Sequence, residues 1–269
     1  DVMRAGGTGV VVKSNHPDFP AGAPVYGTFG MQDYVVSDGA SPPLRRYDAT
    51  LTPQEALGVL GTTGMTAYFG LLNLGEPKAG DTVVISGAAG ATGSIAGQIA
   101  KLKGCTVIGM AGSNDKCQWL VDDLGFDAAI NYKTQDVGRS LDALCPTGIN
   151  LYFDNVGGEI LDLCLERIAM NARVIICGGI SRYNATAPVP GPKNYFNLVF
   201  RRARMEGFIV LDYINQFPAA IAEMKRWMEA GQLKQSTTVI DGFEQLPRAL
   251  IQLFEGVNIG KMMVNTNPG

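Results

Sequence analysis

The glycine-rich loop Gly87-Ala88-Ala89-Gly90-Ala91-Thr92-Gly93 constrains this chain more than any other feature. The run 82–86 before it, with Val83-Val84-Ile85 in its middle, suits a strand buried on both faces. The stretch 92–102 after it carries a helical pattern. Small residues between the two let the backbone turn sharply and approach a pyrophosphate closely. The helix that follows offers free N–H groups and the positive end of its dipole. A lone glycine pattern is weak evidence, but strand, loop and helix in this order make a dinucleotide site.

The pattern continues beyond the loop. Strand runs at 106–111, 128–132, 150–155 and 173–177 alternate with helical runs at 116–124, 137–144 and 159–168. Such βαβ alternation predicts a doubly wound parallel sheet wrapped by helices. A looser stretch, 181–197, precedes a strand at 206–211, expected near the sheet edge, and a helix at 217–230. The tail reads as strand 237–240, helix 245–255 and strand 261–264. Ahead of the sheet, residues 1–50 hold short β-prone runs at 9–13, 23–26 and 32–36, separated by turn signals such as Ser37-Asp38-Gly39. Thr52-Pro53-Gln54-Glu55 reads as a helix start, and Gly61-Thr62-Thr63-Gly64 interrupts the helical stretch 54–72.

Several function classes are disfavoured. The net charge of −3 has no basic stripe behind it, so no nucleic-acid partner is expected. No apolar run reaches the ~18 residues that span a bilayer. No membrane association and no secretory leader are expected, and the expected location is the cytoplasm. The five cysteines, Cys105, Cys117, Cys145, Cys164 and Cys177, are scattered without CxxC spacing, which predicts reduced thiols. His16 is the only histidine and sits in a turn-like stretch; neither a metal site nor a Ser-His-Asp triad is expected to rest on it.

An NAD-binding loop places an acid about 20 residues on, at the end of the second strand, to bind the ribose 2′-hydroxyl. Here that position holds Gly112 or Ser113, and Lys116 follows one helical turn later. Donors and a positive charge suit a 2′-phosphate, so the residues favour NADP(H) over NAD(H). Asp115 falls in the first turn of a helix, where an acid is favoured in any case. Asp154-Asn155-Val156-Gly157-Gly158 ends the fourth strand, at the edge where open α/β sheets bind ligands. Asn155 is expected to face the cofactor; turn formation before the glycine pair is the other role open to it.

Taken together, these motifs resemble the medium-chain dehydrogenase/reductase superfamily, in its zinc-independent prostaglandin reductase branch with bacterial curcumin-reductase-like relatives. The resemblance rests on Gly64-Met65-Thr66-Ala67-Tyr68-Phe69-Gly70, the glycine loop, Gly97-Gln98-Ile99-Ala100-Lys101, Ala111-Gly112-Ser113 with Lys116, and Asn131-Tyr132-Lys133. It continues through Asp154-Asn155-Val156-Gly157-Gly158, Ser181-Arg182-Tyr183-Asn184 and Asn258-Ile259-Gly260-Lys261. It implies a Rossmann domain at 54–231 and a GroES-like β domain from both chain ends, 1–53 and 232–269. That second domain is expected to be partial, because family members carry further residues ahead of the point matching Asp1. The zinc-dependent cousins have a His-Glu pair where this chain reads Arg4-Ala5-Gly6-Gly7, so no zinc is expected.

By motif match, Gly90, Ala91 and Thr92 would line the pyrophosphate, and Lys116, Ser113 and Tyr132 would hold the 2′-phosphate. Asn155 and Asn258 would contact the nicotinamide half, and Tyr183 would reach the substrate carbonyl or the nicotinamide ribose. The resemblance adds Thr66, Gly93, Gly112, Cys177, Gly179, Ile180, Phe208, Val210 and Gly260 to the cofactor contacts. It implies a homodimer that uses NADPH to reduce the C=C bond of α,β-unsaturated ketones or aldehydes, with Tyr183 as catalytic residue. Packing against the nicotinamide is the other role open to Tyr183. Quinone reduction and cofactor binding without a complete catalytic cleft fit the same motifs.

Overall fold

The computed structural model describes residues 2–41 and 43–267. Three short strands come first: β1 (Gly6–Val10), β2 (Pro24–Thr28) and β3 (Leu44–Arg46) form an antiparallel sheet in that order. The strand expected at 32–36 does not form. The Gln32 side chain donates to the Phe29 carbonyl at 2.6 Å and its backbone N–H to the Gly30 carbonyl at 3.1 Å, so the chain bends there.

Helix α1 (Pro53–Leu57) starts at Thr52 with a capping box, as its sequence predicts. The Glu55 N–H donates to the Thr52 hydroxyl, and the Glu55 carboxylate accepts the Thr52 N–H. Helix α2 (Thr62–Phe69) runs into a π-helical turn, Gly70–Gly75. A side chain on Gly70 would meet the Phe208 ring at 2.5 Å, so only glycine allows this approach.

The predicted alternation then produces β4 (Thr82–Ile85), α3 (Ala91–Leu102), β5 (Thr106–Ala111), α4 (Asn114–Asp122), β6 (Ala128–Asn131), α5 (Val137–Leu144), β7 (Ile149–Asp154), α6 (Gly158–Glu166) and β8 (Ile168–Ile176). After α7 (Asn197–Arg201), the edge strand β9 (Arg204–Gly207) completes a six-stranded parallel sheet, order β6-β5-β4-β7-β8-β9. The chain order reverses between β4 and β7. The crevice of an open α/β sheet lies at such a point, at the carboxyl ends of its strands.

Alternate residues of each strand feed two cores, as a sheet covered on both faces requires. Val83, Ile85, Val107, Leu151, Phe153 and Ile175 pack with residues of α2, α3 and α8 (Phe217–Glu229). Val84, Ile108, Met110, Ile130, Tyr152 and Val174 pack with residues of α5 and α6. Arg173 fastens the sheet to the π-helical turn: it bonds the carbonyls of Gly75 and Glu76 and pairs with Asp81, both partners nearly buried.

The chain closes with β10 (Thr237–Asp241), α9 (Leu246–Glu255) and β11 (Lys261–Asn265). β10 and β11 form a separate parallel pair, and Gly260 bridges to Gly90 of the glycine loop. Among the described residues, no helix is long and apolar enough to cross a membrane.

Candidate active site

A cleft of about 730 Å³ opens at the carboxyl ends of β4, β5 and β7, within the range of small-ligand pockets. Its floor is the glycine loop. Gly87 adopts φ +58°, and a side chain on Gly93 would strike the Gly87 carbonyl at 2.5 Å. The loop therefore packs tightly under α3. Gly90 caps that helix without a side chain, so the first-turn N–H groups of Ala91, Thr92 and Gly93 stay open toward the cleft they line.

At one end of the cleft, β5 delivers Ala111 and Gly112, and Tyr132 and Lys116 stand beside them. A side chain on Gly112 would lie 2.7 Å from the Tyr132 hydroxyl oxygen, so glycine leaves room for a group of another molecule. The Ser113 hydroxyl caps α4 by accepting the Lys116 N–H at 3.3 Å. The Lys116 ammonium donates to the Gly256 carbonyl at 2.6 Å. Burial, and then the charge of Lys133, hold its pKa below the usual lysine value. No carboxylate is ion-paired with Lys116 among the described residues.

At the other end, Asn155 is set by a buried network. Its N–H donates to the Ser86 hydroxyl at 2.9 Å and its side-chain amide to the Ser86 carbonyl at 2.7 Å. Ser86 and Tyr152 donate in turn to one oxygen of the fully buried Asp154, which also accepts the N–H groups of Val156 and Gly157. The loops after β4 and β7 are thereby locked to one another. The Asn155 amide oxygen has no partner among the described residues.

The C-terminal segment supplies the third wall. Asn258 donates to the Gly260 carbonyl at 2.7 Å, and the Gly260 N–H donates to the Ala89 carbonyl at 2.8 Å. Lys261 lines the cleft and donates to the Thr63 hydroxyl at 2.9 Å; burial lowers its pKa. Thr63, Lys261 and the stretch 253–256 were not singled out from the sequence as site residues. A lysine in a strand reads as surface, and nothing local reveals that the chain end folds back over the glycine loop.

The structure thus gathers Gly90, Ala91, Thr92, Gly93, Gly112, Lys116, Tyr132, Asn155, Ile180, Asn258 and Gly260 around one cleft. Ser113 stands beside it as a helix cap. Thr66 lies one turn along α2 from Thr63, its hydroxyl donating to the Thr62 carbonyl at 2.7 Å. Cys177 and Phe208 pack against the core, and Val210 is buried in it. Burial pushes the Cys177 thiol up to about 12. Tyr183 and Gly179 line a neighbouring cavity of about 890 Å³ instead. The 3-10 turn Ile180–Arg182 directs Ile180 and Ser181 into the cleft and Tyr183 away from it. The Tyr183 hydroxyl accepts the Gly179 N–H at 3.3 Å, and the residue is 63% exposed. Among the described residues, no group of three or more His, Cys, Asp or Glu is placed to hold a metal ion.

Residues 91–226 match the family model "Zinc-binding dehydrogenase", and residues 1–43 match "N-terminal domain of oxidoreductase". The chain is 44% identical to the putative NADP-dependent oxidoreductase YfmJ of Bacillus subtilis, over 99% of this chain and 79% of that protein. It is 39% identical to the NADPH-dependent curcumin reductase of Escherichia coli, over 98% of this chain and 77% of the relative. The crystal structure of CurA from Vibrio vulnificus in complex with NADPH superposes with a TM-score of 0.93 at 42% identity, covering 100% of this chain and 81% of that one. The ordered motifs, the strand order and these similarities agree: the chain belongs to the medium-chain dehydrogenase/reductase superfamily, in the zinc-independent branch of the curcumin and prostaglandin reductases.

Proposed function

We propose that the protein uses NADPH to reduce the C=C bond of α,β-unsaturated ketones or aldehydes. The observation that carries the reading is the end of β5, where Gly112, Lys116 and Tyr132 meet at the cleft and no carboxylate among the described residues pairs with the lysine. A phosphorylated ribose suits that corner, and an acid there would repel it. The first-turn N–H groups of α3 would hold the pyrophosphate, with the Lys261 ammonium adding charge. The free Asn155 amide oxygen suits the carboxamide N–H of a nicotinamide.

NADPH, when bound, supplies a hydride. The protein's task is to orient the acceptor alkene and to stabilise the negative charge that develops on its carbonyl oxygen as an enolate. Among the described residues, the cleft brings together no hydrogen-bonded acid-base pair of the kind that alcohol-ketone interconversion usually needs. An activated alkene asks for less, a single hydrogen-bond donor. We propose Tyr183 for that role. Its hydroxyl is held by one long hydrogen bond at the carboxyl edge of the sheet, and the side chain would turn toward the cleft to donate. The curcumin reductase of Escherichia coli supports the substrate class, since curcumin carries conjugated enones.

The same proposal divides the chain at 53 and 231 into a dinucleotide-binding unit and a β domain drawn from both chain ends, and puts the protein in the cytoplasm. It pairs β9 with a second copy. That edge strand is exposed along its whole length, with Ile209 and Leu211 exposed just beyond it. The test is oxidation of NADPH with a panel of enones, alkenals and quinones. Turnover of quinones alone would overturn the substrate class.

A further inference from the structure

We infer that Lys133 is a second cation for the adenosine 2′-phosphate and, together with Lys116, sets the preference for a phosphorylated dinucleotide. The inference rests on the NADPH reading above and adds a residue to it.

The first ground is position. Tyr132 lines the cleft, and Lys133 follows it in the turn after β6. The Lys133 Cε stands 3.3 Å from where a side chain on Gly112 would begin, so its stem lies against the same glycine that Tyr132 overhangs. Lys116 comes to this corner from α4, on a different element.

The second ground is the frame that holds the two lysines. Asn131 is buried, and its side-chain amide donates to the Asn114 side chain at 2.7 Å. Its side-chain oxygen accepts the Lys133 N–H at 3.1 Å, and its own N–H donates to the Gln135 side chain at 2.7 Å. Asn114 opens α4 two residues before Lys116, and Asn131 stands two residues before Lys133. One side-chain hydrogen bond therefore ties the two lysine-bearing segments together.

The third ground is charge. Neither ammonium is ion-paired with a carboxylate among the described residues. Lys116 bonds only the neutral Gly256 carbonyl, and the Lys133 ammonium has no hydrogen-bond partner there. The nearest acids in sequence are Asp115, on α4, and Asp136, which pairs with Arg139; among the described residues neither these nor Glu255, which lines the cleft, forms an ion pair with either lysine. Two like charges that feel one another without a counter-ion disfavour each other. The lowered pKa of Lys116, caused by burial and then by Lys133, expresses that conflict. A dianion between them removes it, and a phosphate monoester, with its second pKa near 6, is doubly charged at neutral pH. With the Tyr132 hydroxyl, the two lysines offer donors to all three terminal phosphate oxygens.

The test uses 2′,5′-ADP and 5′-AMP as probes, which isolate the phosphate from the hydride chemistry. Their binding is measured by calorimetry for the parent protein and for Lys116→Gln, Lys133→Gln and Lys133→Arg. Lys133→Gln should weaken 2′,5′-ADP about tenfold and leave 5′-AMP within about twofold. Lys133→Arg should restore most of the loss. The ³¹P resonance of the bound 2′-phosphate should titrate at lower pH than in the free nucleotide, and part of that shift should vanish in Lys133→Gln. Parent-like 2′,5′-ADP affinity in Lys133→Gln, with Lys116→Gln impaired, overturns the role of Lys133 and leaves the NADPH reading standing. Equal affinity of the parent protein for both probes overturns the NADPH reading itself.

Discussion

The Gly260 N–H donates to the Ala89 carbonyl at 2.8 Å, and this bond fastens the C-terminal segment to the loop that opens the first βα unit. The contact leaves no room for a side chain. Gly260 has φ +66°, and a Cβ there would fall 1.9 Å from the Ser236 carbonyl oxygen. Gly260→Ala should therefore shift the segment off the loop. We expect a stability loss of about 1–3 kcal/mol in urea unfolding and at least about tenfold weaker NADPH binding. Unchanged binding in a destabilised variant would show that this wall is not part of the site.

Lys261 separates function from stability. Burial lowers its pKa below the usual 10.5, so between the lowered value and 10.5 the unfolded chain binds the proton more tightly than the folded one. Its cost to the fold is full below the lowered pKa and fades as pH rises toward the usual lysine range. Lys261→Met should thus unfold at neutral pH no more readily than the parent, and it should flatten the rise in stability at alkaline pH. NADPH binding should fall about tenfold. A variant that binds normally would remove Lys261 from the pyrophosphate wall.

Arg173 is the opposite case, an ion pair on which the fold depends. Replacing it by Met leaves Asp81 and the Gly75 and Glu76 carbonyls without its donors. The expected loss is about 3–5 kcal/mol, read from the denaturation midpoint, with the sheet-to-turn junction exchanging amide hydrogens first. A loss under about 1 kcal/mol, the range of exposed pairs, would contradict the burial argument.

The parallel sheet was legible because its signals are local. The strand 106–111 and the helix 137–144 carry their apolar periods between clear turn residues, and both form with the bounds read from the sequence. The third strand of the N-terminal sheet was not legible. Leu44-Arg45-Arg46 is short, basic and mostly exposed, whereas Gln32-Asp33-Tyr34-Val35-Val36 ends in β-prone residues but bends through contacts with Phe29 and Gly30. The π-helical turn opens at Gly70, which packs under Phe208, a long-range contact that no local pattern encodes. At the site, the glycine loop, Gly112, Lys116 and Asn155 were readable because strand ends border the crevice. The sides to which Tyr183, Phe208 and Val210 turn are set by how the loops beyond β8 and β9 fold back, and no nearby pattern encodes that.

Tyr183 tests how far that loop must move. If its hydroxyl stabilises the enolate, Tyr183→Phe should lower kcat on an enone about 10- to 100-fold, roughly 1.4–2.7 kcal/mol, with NADPH affinity little changed. The loss should be smaller on a quinone, whose reduced oxygen is less basic. An unchanged kcat on enones would leave the tyrosine where the structure has it, lining the neighbouring cavity.

The reaction itself is tested most directly by following the label. A simple enone is reduced with NADPH carrying deuterium at the transferred position, using the protein with every residue its gene encodes, and the product is read by NMR. We expect one deuterium on the β carbon, and solvent deuterium on the α carbon when the reaction is run in D₂O. Deuterium on the carbonyl carbon would make the protein a ketone reductase and contradict the account.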